Sequence, residues 1–173
     1  MDWHALVARR LHALCPGFNG NVHYALANLE PRLKLLDGTC SIAVVKTLCN
    51  SWCTSHRYHE NVTHSCIFGC ASRHPVWPSD IFPDSLRHYL VCPILWNIIR
   101  EVTGISFAPS ALSRLGVTMD WHDLRLLAVA HHIYHYLKLG SSSLGTIMYY
   151  RDSAAVLDLA FDAAKVANTE IMY

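Results

Sequence analysis

No apolar run in the 173 residues approaches the roughly eighteen needed to cross a bilayer, so no membrane span is expected. The first fourteen residues scatter Asp2, His4, Arg9 and Arg10 among apolar ones, unlike the continuous apolar block of a secretory leader. Charge is scarce too: 16% of residues are charged and the formal net charge is +1, too little to announce a nucleic-acid binder by electrostatics alone. No stretch alternates convincingly between apolar and polar residues, which argues against a sheet. Catalytic signatures are missing as well: no glycine-rich phosphate loop, no G-x-S-x-G elbow, no adjacent aspartate pair of the polymerase type, and no nuclease-type Asp…(Asp/Glu)-x-Lys. An enzyme is therefore not expected. Internal repeats and low-complexity segments are also absent.

What remains is apolar and rich in metal-ligand residue types. Hydrophobic residues make up 52% of the chain, enough for a sizeable core in one compact domain. Seven cysteines, an odd number, fit a closed disulfide framework poorly and fit metal-held thiolates plus buried thiols better. A reducing compartment follows, so the expected location is intracellular, nucleus or cytoplasm.

Four of these residues form a pattern. Cys66 and Cys70, followed by His88 and Cys92, make C-x3-C-x17-H-x3-C. Zinc takes four soft or borderline ligands in a tetrahedron, and two close pairs joined by a longer loop are how a short chain supplies them. His88 and Cys92 lie four apart in a stretch that reads as a short helix stopped by Pro93, so both face one side. Gly69 lets the backbone turn between Cys66 and Cys70. The loop over residues 71–83 carries three prolines and little periodicity, and needs an external staple. The competing reading is a set of buried cysteines and a core histidine, and His74 is the rival fourth ligand.

The rest reads as helix. Residues 3–14 carry one apolar face; residues 21–36 another, interrupted by Pro31, which should kink it or begin a new helix, with Gly38 closing the segment. Thr39 or Ser41 should cap a third helix reaching about Ser55. A helix over 93–102 follows, broken by Gly104. Residues 119–139 are apolar nearly all round and belong in the middle of the core, with Gly140 as the terminating residue and 141–145 as a flexible joint. A final helix over 153–167 should pack its Val156, Leu157, Ala160, Phe161 and Ala164 face on that central helix. The expected fold is all-α, an irregular helical bundle with a zinc-stapled CCHC knuckle. Its parts are N-terminal helices over 1–56, the knuckle over 57–92, and C-terminal helices over 93–173 that pack with the first group.

Two further clusters have a weaker claim. His131 and His135 have the i, i+4 spacing of a metal pair, but position 132 is His where a zinc protease needs Glu, so core or helix-surface histidines are the simpler reading. Cys49 and Cys53 with His56 and His59 would permit a second site, although one face of a buried helix accounts for the cysteines.

Three stretches together resemble a known family. They are Val45-Lys-Thr-Leu-Cys-Asn-Ser-Trp-Cys-Thr-Ser-His-Arg-Tyr58, then Cys66-Ile-Phe-Gly-Cys70, then Asp84-Ser-Leu-Arg-His-Tyr-Leu-Val-Cys-Pro-Ile-Leu-Trp96. The chain resembles the zinc-binding region C-terminal to the reverse transcriptase of non-LTR retrotransposons, in particular elements of dinoflagellates and other algae or protists. The likeness covers roughly residues 40–140 and is specific around 45–96, without the polymerase domain. It implies that the knuckle and its helical surroundings grip template RNA or target DNA beside a catalytic domain; on this chain's own residues, RNA or single-stranded DNA would be met by Arg57, Arg73 and Arg87 on phosphates, with Tyr58 and Trp77 available for stacking. It leaves a second class open: a purely structural zinc in a protein-interaction module, a detached remnant whose apolar faces meet a reverse-transcriptase domain or a second copy.

Overall fold

Helices form where the apolar periodicity places them, and their ends depart from expectation wherever a capping residue competes. The computed structural model describes residues 3–15, 22–55, 57–58, 64–70, 82–106, 110–115, 121–144 and 153–172. Among these are eight helices: α1 (Trp3–Leu14), α2 (Val22–Leu35), α3 (Gly38–Leu48), α4 (Leu86–Tyr89), α5 (Pro93–Thr103), α6 (Ala111–Arg114), α7 (Trp121–Leu144) and α8 (Ser153–Met172). No strand occurs among the described residues; one antiparallel bridge joins Ser65 to Pro83. The all-α expectation holds. No helix among the described residues is long and apolar enough to cross a membrane.

α7 is the central element, touching α3, α5, α6 and α8. Leu124, Leu127, Ala128, Val129, Ile133, Tyr134 and Leu137 are all buried, so it is enclosed on most of its circumference. α8 lies against it through Val156, Ala160, Ala163, Ala164, Ala167 and Ile171. Four alanines on that face let the two backbones approach closely, while Asp158, Asp162 and Lys165 stay in solvent. His131 and His135 stack on each other with ring centroids 4.0 Å apart and meet Trp52 edge-on. Burial pushes the His131 imidazole down to about 3, with His135, Lys46 and His132 adding to the shift, so it packs as a neutral ring. They are half-buried histidines packed on the core, in keeping with the core or helix-surface reading.

Several boundaries differ from those read in the sequence. Pro31 does not begin a new helix: α2 runs through it. Both Pro31 and Ala27, whose carbonyl loses its partner, face solvent, where water replaces the missing bond. Asp37, instead of Thr39 or Ser41, caps α3 by accepting the Cys40 N–H at 2.9 Å, so Gly38 opens α3 where it was expected to close the segment before it. α3 also stops at Leu48 and not near Ser55. Asn50 takes the left-handed conformation (φ 52°) just past the end, a role asparagine tolerates better than most residues, and the chain turns away. α7 continues past Gly140 to Leu144, through the expected joint; glycine and serine lower helix propensity without forbidding helix. α8 extends five residues beyond the expected 167.

Leu127 and Ile133 are fully buried at the centre of α7, whereas Leu139 on the same helix is 69% exposed. Replacing Leu127 or Ile133 by Ala is expected to lower the unfolding free energy by about 2–5 kcal/mol. Leu139→Ala should change it by less than about 0.5 kcal/mol, both read by chemical denaturation.

Candidate metal centre

The turn that carries the first two cysteines is fixed by its own backbone. Cys66 N–H donates to the Phe82 carbonyl at 2.7 Å and Asp84 N–H to the His64 carbonyl at 2.7 Å, which closes the Ser65–Pro83 bridge at the base of the loop. Gly69 N–H returns to the Cys66 carbonyl at 3.1 Å with Gly69 at φ 77°, a left-handed conformation that costs glycine nothing. This is the turn expected of C-x3-C. It brings the Cys66 and Cys70 side chains to the same side.

The second pair is held by two helix starts. Ser85 caps α4 by accepting the His88 N–H on its hydroxyl at 3.2 Å. Pro93 does more than stop that turn: it is the first residue of α5, where its missing N–H is no loss. Cys92 is therefore the N-cap of α5, and its Sγ accepts the Leu95 N–H at 3.5 Å. Arg114 braces the segment between the ligands from outside. Its Nη1 donates to the Leu90 carbonyl at 2.8 Å while its guanidinium lies 4.6 Å from the centroid of the Trp96 ring. Trp96 Nε1 donates to the Tyr89 carbonyl at 2.9 Å.

These constraints converge on one point. The ligand atoms of Cys66, Cys70, His88 and Cys92 all lie within 4.8 Å of one another, and all four residues are buried. The Sγ of Cys92 is 3.8 Å from that of Cys66 and 3.5 Å from that of Cys70. A tetrahedron with metal–sulfur bonds of about 2.3 Å has edges of about 3.8 Å, so the thiols stand at coordination spacing. A disulfide would need about 2.05 Å. His88 Nε2 is shielded from solvent and has no hydrogen-bond partner, which is costly unless a cation takes its lone pair. The group can hold a metal ion. Among the described residues it is the one set of three or more such side chains with their ligand atoms together.

Protons are unequally shared among the three sulfurs. Hydrogen bonds from Cys66 and Cys92, with His88 adding to them, hold Cys70 well below the usual thiol range. Burial pushes Cys66 and Cys92 up. A cation entering the quartet must therefore displace protons from Cys66 and Cys92, and acid opposes it.

Beneath the quartet lies a feature that the motif does not reveal. Asp84 is fully buried, and its Oδ1 accepts the Tyr89 hydroxyl at 2.6 Å and lies 3.2 Å from that of Tyr134. Its Oδ2 accepts the Ser55 N–H at 2.8 Å and pairs with Lys138 Nζ at 3.0 Å. The Tyr89 hydroxyl in turn accepts the Ile67 N–H at 3.2 Å, so the cysteine turn is tied through Tyr89 and Asp84 to α7. Trp52 stacks on Tyr89 and Tyr134 at 5.8 and 4.8 Å between centroids. Asp84–Ser85 before an apolar run signals a cap in the sequence; its partners at 55, 134 and 138 are too distant to be signalled.

The residues expected to meet nucleic acid are divided. Tyr58 is 55% exposed, with the Arg57 guanidinium 5.4 Å from its ring centroid and its hydroxyl 3.4 Å from Cys53 Sγ. Arg87 is exposed on α4 near Cys15, whose thiol is raised by burial and drawn back by that arginine. Arg73, Trp77 and the rival ligand His74 lie outside the described residues, as do His56 and His59 of the second candidate cluster.

One divalent ion per chain is expected, lost in both Cys70→Ser and Cys92→Ser, with about two protons released per ion bound and affinity falling as pH is lowered. Elemental analysis and calorimetry in buffers of different ionisation enthalpy read these quantities; full metal in both variants would exclude the quartet. Asp84→Ala, which removes no ligand, should cost about 1–3 kcal/mol of stability and speed metal loss to a chelator, because it leaves the buried Tyr89 hydroxyl and the Ser55 N–H without their acceptor and takes away the ion-pair partner of Lys138. No protein-family model, no curated protein and no solved structure matches this chain.

Proposed function

We propose that the ion is zinc and that its role is structural, in a non-catalytic module that binds RNA or single-stranded DNA. The observation that supports the structural role is the donor set: four buried protein ligands stand together, the number that a closed tetrahedral zinc site takes without water or substrate. Three thiolates and an imidazole are zinc's usual donors, and their softness disfavours magnesium or calcium. When bound, the ion supplies a cross-link at the base of the proline-rich stretch 71–81, whose sequence has little apolar periodicity with which to hold itself. Its removal should unfold the knuckle before the bundle.

Nucleic-acid binding is supported by the half-buried Arg57 beside the exposed Tyr58 ring and by Arg87, on the two segments that flank the cysteine turn. A guanidinium beside an aromatic ring offers phosphate contact and a stacking face together. It is also what the resemblance to the retrotransposon reverse-transcriptase tail implies. A protein-interaction module is the second reading, favoured by Ile42 and Val45, which are three apart on α3 and 57% and 43% exposed.

Salt separates the two. Zinc-loaded protein should bind a single-stranded oligonucleotide at low ionic strength, with affinity falling steeply as salt rises, while an apolar protein contact changes little. Changing Arg57, Arg73 and Arg87 together to Ala should weaken binding with zinc retained, and flatten the salt slope by about one unit for each phosphate that the variant no longer neutralises. Failure of the wild type to bind any RNA or DNA at low salt would leave the interaction module as the better reading.

A further inference from the structure

Between the C-terminal half of α1, the turn after α3 and the start of α4 lies a groove of about 380 Å³. Arg10, Asn50 and Arg87 present polar side chains to it, and Leu14 and Leu86 are among its apolar lining. Among the described residues no carboxylate lines it. Asp84, adjacent in sequence to the lining residue Ser85, is buried and committed to Lys138.

Among the described residues, the side-chain donors of Arg10, Arg87 and Asn50 meet no acceptor. Arg10 Nε is shielded from solvent without a hydrogen-bond partner, and no carboxylate among the described residues pairs with Arg10 or Arg87. The Asn50 amide also makes no hydrogen bond among the described residues, although its backbone is held in a left-handed conformation that fixes where the side chain leaves the chain. Two guanidiniums and an amide, brought from three separate elements to one concavity, form a set of donors suited to an oxyanion with several acceptor oxygens. The apolar lining suits an organic group attached to that anion, and the volume falls in the range of small-ligand sites.

We infer that this groove is a binding site for a phosphate group, with Arg10 and Arg87 as its charged ligands and Asn50 as a neutral donor. The phosphate is carried by a nucleic-acid strand or by a free phosphate ester. Recognition of phosphate is independent of the function proposed for the knuckle; only the strand as carrier rests on it.

The test uses the full-length, metal-loaded protein and two soluble probes, inorganic pyrophosphate and a nucleoside 5′-monophosphate, titrated calorimetrically. Both should bind the wild type. Arg10→Gln and Arg87→Gln should each weaken binding about tenfold or more, the loss expected for a charge-assisted hydrogen bond, with metal content and helical circular dichroism unchanged. Arg100→Gln removes the same charge from an exposed site on α5 outside the groove and should leave affinity unaltered. No binding of either probe by the wild type, or equal losses in all three variants, overturns the site. If pyrophosphate displaces a single-stranded oligonucleotide and Arg10→Gln weakens both, the carrier is a strand. If the probes bind while no oligonucleotide does, the groove stands with a free phosphate ester as its ligand, and the nucleic-acid reading fails alone.

Discussion

A carboxylate with no exposure to water must be matched on both oxygens, and at Asp84 the matching groups come from the segment after α3, from α4 and from the central helix. Ser55 follows the turn out of α3, Tyr89 lies on α4 between two ligands, and Lys138 and Tyr134 belong to the central helix. The knuckle and the bundle thereby share one polar centre. Without it, the cysteine turn would keep its bridge to Pro83 and the His64 N–H bond to the Ser55 hydroxyl, but lose its polar tie to the central helix. The aromatic stack of Trp52, Tyr89 and Tyr134 then seals this centre from solvent and strengthens each hydrogen bond within it.

The metal quartet depends on that arrangement in a specific way. Gly69 and the Ser65–Pro83 bridge set the turn locally, but the distance from that turn to His88 and Cys92 is set by Tyr89, which touches both sides: Ile67 through its hydroxyl and Phe68 through its ring. Arg114 and Trp96 hold the carbonyls of Leu90 and Tyr89 from the opposite direction. The four side chains are thus a convergence of separately fixed elements, and an ion bound there would close a geometry that the chain has already approached.

Much of this was legible in the sequence. α1 and the central placement of α7 follow from apolar spacing alone, because a helix apolar on all sides has only the interior in which to lie. The ligand quartet was legible for a different reason: metal coordination imposes residue type and spacing together, so it leaves a signature in one dimension. The two ends of α3 and the end of α7 were not, since Asp37, Asn50 and Gly140 each permit more than one local conformation and tertiary packing chooses among them. The Asp84 centre was invisible because its partners are 29, 50 and 54 residues away and of ordinary type. Arg10 went unnoticed for the same reason: only the fold brings α1 beside α4.

Position 92 serves two masters. Its side chain must be short enough to receive the Leu95 N–H at the head of α5, and it must also donate to a cation among two other sulfurs. Serine, threonine and asparagine are good caps but poor ligands for a soft ion, and histidine ligates but caps badly. Mutational drift at this site is therefore narrowed twice over. A serine substitution would be deceptive: α5 would keep its cap and much of its packing, and the chain would still look well folded to a helicity measurement after its cross-link had gone.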